Sequence, residues 1–262
     1  MEYYEAKKAY QKVRNISGWF SEEAALVLAL TDTVQKQHQF SGDIFEIGVH
    51  HGKSALYLHH LLSGQENLKV CDLFGNQSGN VSDSGSGDKQ IFLSNCSRVI
   101  GNVAIPVFEK LSGELSVSEI GRTYRMFHID GGHSCEEALA DLYLAKQATK
   151  EYGIIILDDP FRHEWPGVTE AAIEFLKESP DYSALLVGFN KLLIVHNSFW
   201  KVYTQAFDNL ALRSQYGLED RLSFKTMRFV GHELRCIYRP TYLQNPTLKV
   251  RMYQWLKRLG LR

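Results

Sequence analysis

The chain has 262 residues, a formal net charge of −1, 44% hydrophobic and 23% charged residues. That length suits one large α/β domain with appendages. The charge balance gives no global attraction to nucleic acid or an acidic membrane, and no apolar run approaches the ~20 residues that span a bilayer.

The first residues, Met1 to Lys8, lack the apolar core of a secretory leader. The four cysteines, Cys71, Cys96, Cys135 and Cys236, are scattered without a Cys-x-x-Cys. This argues against a disulfide framework or a zinc site and suits a reducing cytoplasm.

In chain order, residues 1–40 read as an N-terminal helical cap. Ser21 caps a helix with Glu22 and Glu23 in its first turn, and Ser41-Gly42 ends it. Residues 41–197 then alternate strand and helix signals, the signature of βαβ units. Ile44-Phe45-Glu46-Ile47 is the first strand, with a helix from Lys53 to Leu62. Leu68-Lys69-Val70-Cys71 is the second, stopping at Asp72. A Gly/Ser/Asn/Asp-rich loop from Gly75 to Gly87 precedes a helix from Asp88 to Val99, and a weak third strand spans Ala104 to Phe108.

Tyr124 to Ile129 and Gly153 to Leu157 are apolar runs of the kind buried in parallel sheets, separated by an amphipathic helix from Ser134 to Lys150. Pro166 opens a helix to Lys177. Ser183–Phe189 and Leu192–His196, with Asn190-Lys191 between them, read as an antiparallel hairpin, so one reversed strand is expected near the sheet edge. Residues 198–262 form a C-terminal extension, helical around Phe199–Leu212 and Leu248–Leu259, with strand-like Arg235-Cys236-Ile237-Tyr238 between.

The two apolar runs end in Asp130-Gly131-Gly132-His133 and Asp158-Asp159-Pro160. Carboxyl ends of strands form the ligand crevice of an open α/β sheet, and neighbouring strands lie only ~5 Å apart. Three converging carboxylates repel one another unless they protonate or hold a cation. Oxygen ligands favour a hard ion, Mg²⁺ first, with Ca²⁺ or Mn²⁺ as alternatives. The bland account of Asp158-Asp159 is a turn before proline.

Glu46-Ile47-Gly48-Val49-His50-His51-Gly52-Lys53-Ser54 joins the first strand to its helix. A P-loop needs four residues between its first glycine and Gly-Lys-Ser, and only three lie between Gly48 and Gly52. A dinucleotide fingerprint needs glycine where His50 stands. The acidic-x-Gly-x-x-x-Gly turn of S-adenosylmethionine enzymes fits Glu46, Gly48 and Gly52. Asp72 is then placed to accept hydrogen bonds from ribose hydroxyls.

Glu46-x-Gly48-x-x-x-Gly52-x-Ser54, Asp72, Asp130-Gly131-Gly132-His133 with Glu136, Glu137 and Asp141, Asp158-Asp159, Trp165-Pro166-Gly167-Val168 and Asn190-Lys191 together resemble the metal-dependent class I O-methyltransferases. The pattern is similar to that of enzymes acting on sugar hydroxyls of antibiotics, the macrocin, mycinamicin and novobiocin methyltransferases, over residues 40–197. The resemblance implies a Rossmann-like α/β fold: a mostly parallel seven-stranded sheet, an antiparallel final hairpin and helices on both faces. It implies S-adenosylmethionine held by Glu46, Gly48, Gly52, Ser54, Asp72 and Asp130, with Ser112 near the adenine. It further implies Mg²⁺ held by Asp130, Asp158 and Asp159, and His133 as the base. Some relatives carry a second acidic residue where this chain has Gly132, so no base role transfers to that position.

The acceptor expected on this basis is a sugar, a glycan or a glycosylated small molecule. A catechol-type phenol is the alternative substrate, a non-catalytic donor-binding protein the alternative class, and an NAD-linked oxidoreductase a distant third. His50 and His51 read as solvated turn residues, with a place beside the methyl donor as the alternative for either, and Asp141 as a helix-surface or structural residue. Trp165, with Phe161 and His163, reads as either a substrate wall or ordinary packing. The basic, amphipathic stretch Leu248–Arg258 reads as a helix packing on the domain or on another subunit of a homo-oligomer. Peripheral contact with a membrane or a lipid-linked glycan is the competing account.

Overall fold

A computed structural model describes residues 1–75, 85–219 and 222–240. Its frame is one nine-stranded sheet. The strands are β1 (Asp43–Ile47), β2 (Leu68–Cys71), β3 (Val107–Phe108), β4 (Tyr124–Ile129), β5 (Thr149–Asp158), β6 (Tyr182–Gly188), β7 (Lys191–His196), β8 (Ser223–Phe229) and β9 (His232–Tyr238). They lie in the order β3-β2-β1-β4-β5-β7-β6-β9-β8.

Alternation along the central strands explains why both faces are covered. Ile44, Met126, Ile154 and Ile156 belong to one apolar core, which also takes in helices α1 (Tyr3–Val13), α2 (Glu22–Gln37) and α3 (Lys53–His59). Phe45, Phe127, Ile155 and Leu157 point the other way, into a second core with α6 (Cys135–Ala148) and α7 (Pro166–Glu178). A period of two with both sets apolar is what a buried parallel strand requires.

Helix starts follow the expected chemistry. Ser21 Oγ accepts the Ala24 N–H, Ser134 and Glu137 form a capping box at α6, and Pro166 is the first residue of α7. Asp88 caps α4 (Lys89–Ile100) in the same way.

Four expectations are corrected. Among the described residues the sheet has nine strands rather than seven, because the hairpin β8–β9 of the C-terminal extension adds to it, β9 running parallel to β6. The reversed strand β7 is therefore interior, antiparallel to both β5 and β6. The helix expected over Phe199–Leu212 is broken at Asn209, which caps α9 (Leu210–Gln215) after α8 (Trp200–Asp208). Finally, the turn between β6 and β7 is Phe189-Asn190, not Asn190-Lys191. Both turn residues have positive φ, +53° and +66°, as a two-residue hairpin turn demands.

The helix expected at Leu248–Leu259, with its membrane or subunit contacts, lies outside the described residues, as does most of the Gly75–Gly87 loop. No helix among the described residues is long and apolar enough to cross a membrane. The four cysteines are free thiols.

Candidate active site

Strand order reverses between β1 and β4, whose following loops diverge and leave a crevice at the strands' carboxyl ends. A cavity of about 440 Å³ opens there. One side is built by the turn between β1 and α3. Gly48 (φ +81°) crosses so close to the next loop that a Cβ would stand 1.7 Å from the Asp130 carbonyl oxygen. The glycine is thus demanded by backbone packing between the two site loops. Gly52 (φ +90°) starts α3 against the Phe92 ring and does not line the cavity.

Asp72 shapes this turn. Its Oδ2 accepts the Val49 and His50 N–H groups at 2.5 and 2.7 Å, and its Oδ1 accepts the Phe74 N–H at 2.5 Å. Gly48, Ser54, Asp72, Ser112 and Asp130 all line the cavity.

Glu46 stands elsewhere. It is fully buried behind the wall, its Oε1 2.7 Å from His128 Nδ1 on the neighbouring strand. Burial pushes the Glu46 carboxyl up to about 8, opposed by the Ser54 hydroxyl and the Lys191 charge. Burial, then Lys191, pushes His128 down to about 3. At neutral pH the pair is uncharged, sharing a proton that Glu46 carries.

This gives a signed pH prediction. Folded Glu46 keeps its proton where a free carboxyl near 4.5 has lost it, so its contribution to stability falls as pH rises from 4.5 to 8. Glu46→Gln removes that slope. Its stability should gain on the parent by up to about 1.4 kcal/mol per pH unit over this window. Parallel curves of melting temperature against pH would refute the assignment.

The acidic side is built by β4 and β5. Asp159, in the left-handed region at φ +56°, has its N–H on Asp158 Oδ1 (2.8 Å) and on the Asn190 carbonyl (3.0 Å). Its Oδ1 accepts Asn190 Nδ2 at 2.5 Å, and its Oδ2 lies 3.3 Å from His133 Nε2. Burial raises its pKa, but His133 and Arg162 outweigh that and hold it below the ordinary value. Burial and the Asp158 charge push Asp130 well up.

Donor atoms of Asp130, His133 and Asp159 lie within 4.8 Å of one another, as do those of His128, Asp130 and Asp158. The expected trio of aspartates is not one such set. Asp158 Oδ2 is taken by Lys191 Nζ, a lysine only 1% exposed that pairs with Asp158 across β5 and β7.

His133 is held by its neighbours. Its ring stacks on Trp165, centroids 4.3 Å apart, so Trp165 serves both packing and wall. Gly167 lets the start of α7 press on the His133 carbonyl, 2.8 Å from where a Cβ would be. Gly132 faces Glu137, whose carboxyl fills the space of a side chain there.

Other expectations shift. Asp141 is not on the helix surface but buried beneath Gly131, where burial raises it to about 7 against the Ser112 hydroxyl. His50 is no solvated turn residue: it is half-buried with its ring beside Trp19. Sequence reasoning missed the segment Ser17–Phe20, which forms a wall of the cavity with Trp19 75% exposed. It also missed Arg162 and the role of Lys191. The available signal was a charge opening the otherwise apolar run Lys191-Leu192-Leu193-Ile194-Val195.

Residues 45–160 match the family model of a methyltransferase domain. Among solved structures the chain is similar to the O-methyltransferase NovP, at 12% identity and a TM-score of 0.58 over 72% of this chain and 87% of that one. It is also similar to an O-methyltransferase from Bacillus cereus in complex with SAH (18%, TM-score 0.52, 74% and 91%). A third is the SAH-bound Podospora anserina methyltransferase PaMTH1 (13%, TM-score 0.51, 74% and 88%). At these identities the likeness establishes the fold. No curated protein matches the chain. The matched segment begins in β1 and ends just past the Asp158-Asp159 pair, so it contains the Gly48–Asp72 turn and the three aspartates but not the Ser17–Phe20 wall, Arg162 or Trp165.

Proposed function

We propose that this chain is an S-adenosylmethionine- and Mg²⁺-dependent O-methyltransferase acting on a hydroxyl of a sugar, a glycan or a glycosylated small molecule. The observation that carries the reading is a shared cavity. The Gly48–Asp72 wall and the carboxylates of Asp130 and Asp159, with His133 beside them, border one space of about 440 Å³.

The residues fit a hard divalent ion. Mg²⁺ is usually bound through one or two carboxylates with several waters retained, and Asp130 and Asp159 would hold it. Burial first, and then the Asp158 charge, raise the Asp130 carboxyl, and a bound cation would favour its ionised form. When bound, Mg²⁺ supplies a Lewis acid for the acceptor hydroxyl, and S-adenosylmethionine supplies an activated methyl group.

The chain's own part is placement and proton handling. Gly48 and Asp130 bring the donor turn and the acidic loop into backbone contact, which fixes the separation of donor and acceptor. His133, stacked on Trp165, takes the hydroxyl proton on its ring, and Asp159 at 3.3 Å stabilises the imidazolium. Trp19 and Trp165 offer apolar faces and Arg162 and Glu137 offer hydrogen bonds, a combination suited to a sugar ring.

The test is product analysis after incubation with S-adenosylmethionine, Mg²⁺ and either a glycoside or a catechol. The expected result is a methyl ether on the glycoside, abolished by a chelator. Transfer that survives chelation would remove the metal from the reading; preference for the catechol would replace the acceptor class.

A further inference from the structure

Three lysine and arginine side chains line the cavity, and two of them are paired. Lys110 reaches Glu119 at 2.6 Å, and Arg162 reaches Glu164 at 2.8 Å and Asp159 at 3.4 Å. Lys53 is the exception. No carboxylate among the described residues pairs with it, and its ammonium donates to the Gly18 carbonyl at 3.0 Å. Its stem runs along Gly18, where a Cβ would meet Lys53 Cβ at 3.6 Å and Cδ at 3.9 Å. Burial lowers its pKa, and no neighbouring charge opposes that. A carbonyl takes up one of an ammonium's three donors and brings no charge. Half-buried Lys53 therefore presents an uncompensated positive charge to the cavity.

The charge stands on the donor side. Lys53 follows the turn that Asp72 holds through the Val49 and His50 N–H groups, away from the acidic wall built by β4 and β5. His50 does not supply a second cation there, because burial and then His51 lower its pKa and leave the ring neutral. S-adenosylmethionine carries one anionic group, its α-carboxylate.

We infer that Lys53 is a donor-binding residue whose ammonium pairs with the α-carboxylate of S-adenosylmethionine while still holding the Gly18 carbonyl. The inference rests on the donor reading above and needs neither the metal nor the acceptor. Fixing the charged end of the methionine restricts how the sulfonium and its methyl can turn. The same ammonium holds Gly18, so the bound donor also braces the Ser17–Phe20 wall that carries Trp19. A role confined to tying Gly18 to α3 would affect every ligand alike and give no preference for a carboxylate.

Calorimetry on the full chain with two ligands tests this without activity. One is S-adenosylhomocysteine; the other is its decarboxylated analogue, which keeps the adenosine, the sulfur and the amine. The parent should bind the first about 10–30-fold more tightly, between the small effect of an exposed ion pair and the large one of a buried pair. Lys53→Met keeps the stem along Gly18 and removes the charge. It should weaken S-adenosylhomocysteine by that factor and leave the analogue within about twofold, a non-additivity that isolates the pair. Lys53→Arg should keep most of the preference, and added salt should shrink it in the parent. Binding of the analogue doubles as the control for folding.

If Lys53→Met keeps the parent's preference, or weakens both ligands equally, the carboxylate contact is absent. A parent that binds both ligands equally well says the same without any variant. Each of these results overturns the inference and leaves the donor reading intact. A parent that binds neither ligand takes down the donor reading, and this one with it.

Discussion

Asp159→Asn should lower the rate of methyl transfer by about 10²–10³-fold, the scale on which one preorganised electrostatic contact is lost from an active site. Asparagine tolerates the left-handed backbone that Asp159 adopts at φ +56°, so the substitution changes charge without changing the turn. The lost charge has two partners. It is the carboxylate that would bind Mg²⁺ alongside Asp130, and it is the group 3.3 Å from His133 Nε2 that steadies the imidazolium. Donor affinity should stay close to that of the parent, since Asp159 lies across the cavity from the Gly48–Asp72 turn. Steady-state kinetics with calorimetry of S-adenosylhomocysteine binding separates the two effects. A variant that keeps its rate, or loses donor binding in step with it, would show that Asp159 has another role.

Arg125→Met should cost about 3–5 kcal/mol of stability, the price of leaving a buried ion-pair network without its cation. Arg125 is fully buried on β4 and reaches Glu66 at 2.9 and 3.0 Å, Gln35 at 2.7 Å and the Leu61 carbonyl at 2.9 Å. It also pairs at 3.0 Å with Asp32, a carboxylate that is itself fully buried on α2. These partners come from α2 and from the connection between α3 and β2, so one guanidinium ties α2 to the sheet. At about 2–4 °C per kcal/mol for a chain of this size, the melting temperature should drop by roughly 6–20 °C. A shift within a degree or two would mean the network is solvated and adds little.

The central strands were legible because each is short, apolar on both faces and ended by turn residues. That periodicity put Asp130 and Asp158-Asp159 at strand ends. Helix starts were legible for a similar reason: Ser21, Asp88, Ser134 and Pro166 act on the backbone within a few residues. The strand count was less so. The β8–β9 hairpin has mostly exposed residues on β8 and lacks a clean apolar alternation, so only Arg235–Tyr238 stood out as strand-like.

Local chemistry thus determined the alternation of strand and helix, the glycine turn after β1 and the carboxylates at the ends of β4 and β5. Tertiary structure decided how those groups are used. It withdrew Glu46 to the sheet interior against His128 and brought Ser17–Phe20 over the cavity. It also set Lys191 against Asp158, where the sequence placed Lys191 in a turn. The physical reason is register. Which side chain faces which across neighbouring strands depends on pairing between segments up to tens of residues apart, and a shift of one residue exchanges the two faces.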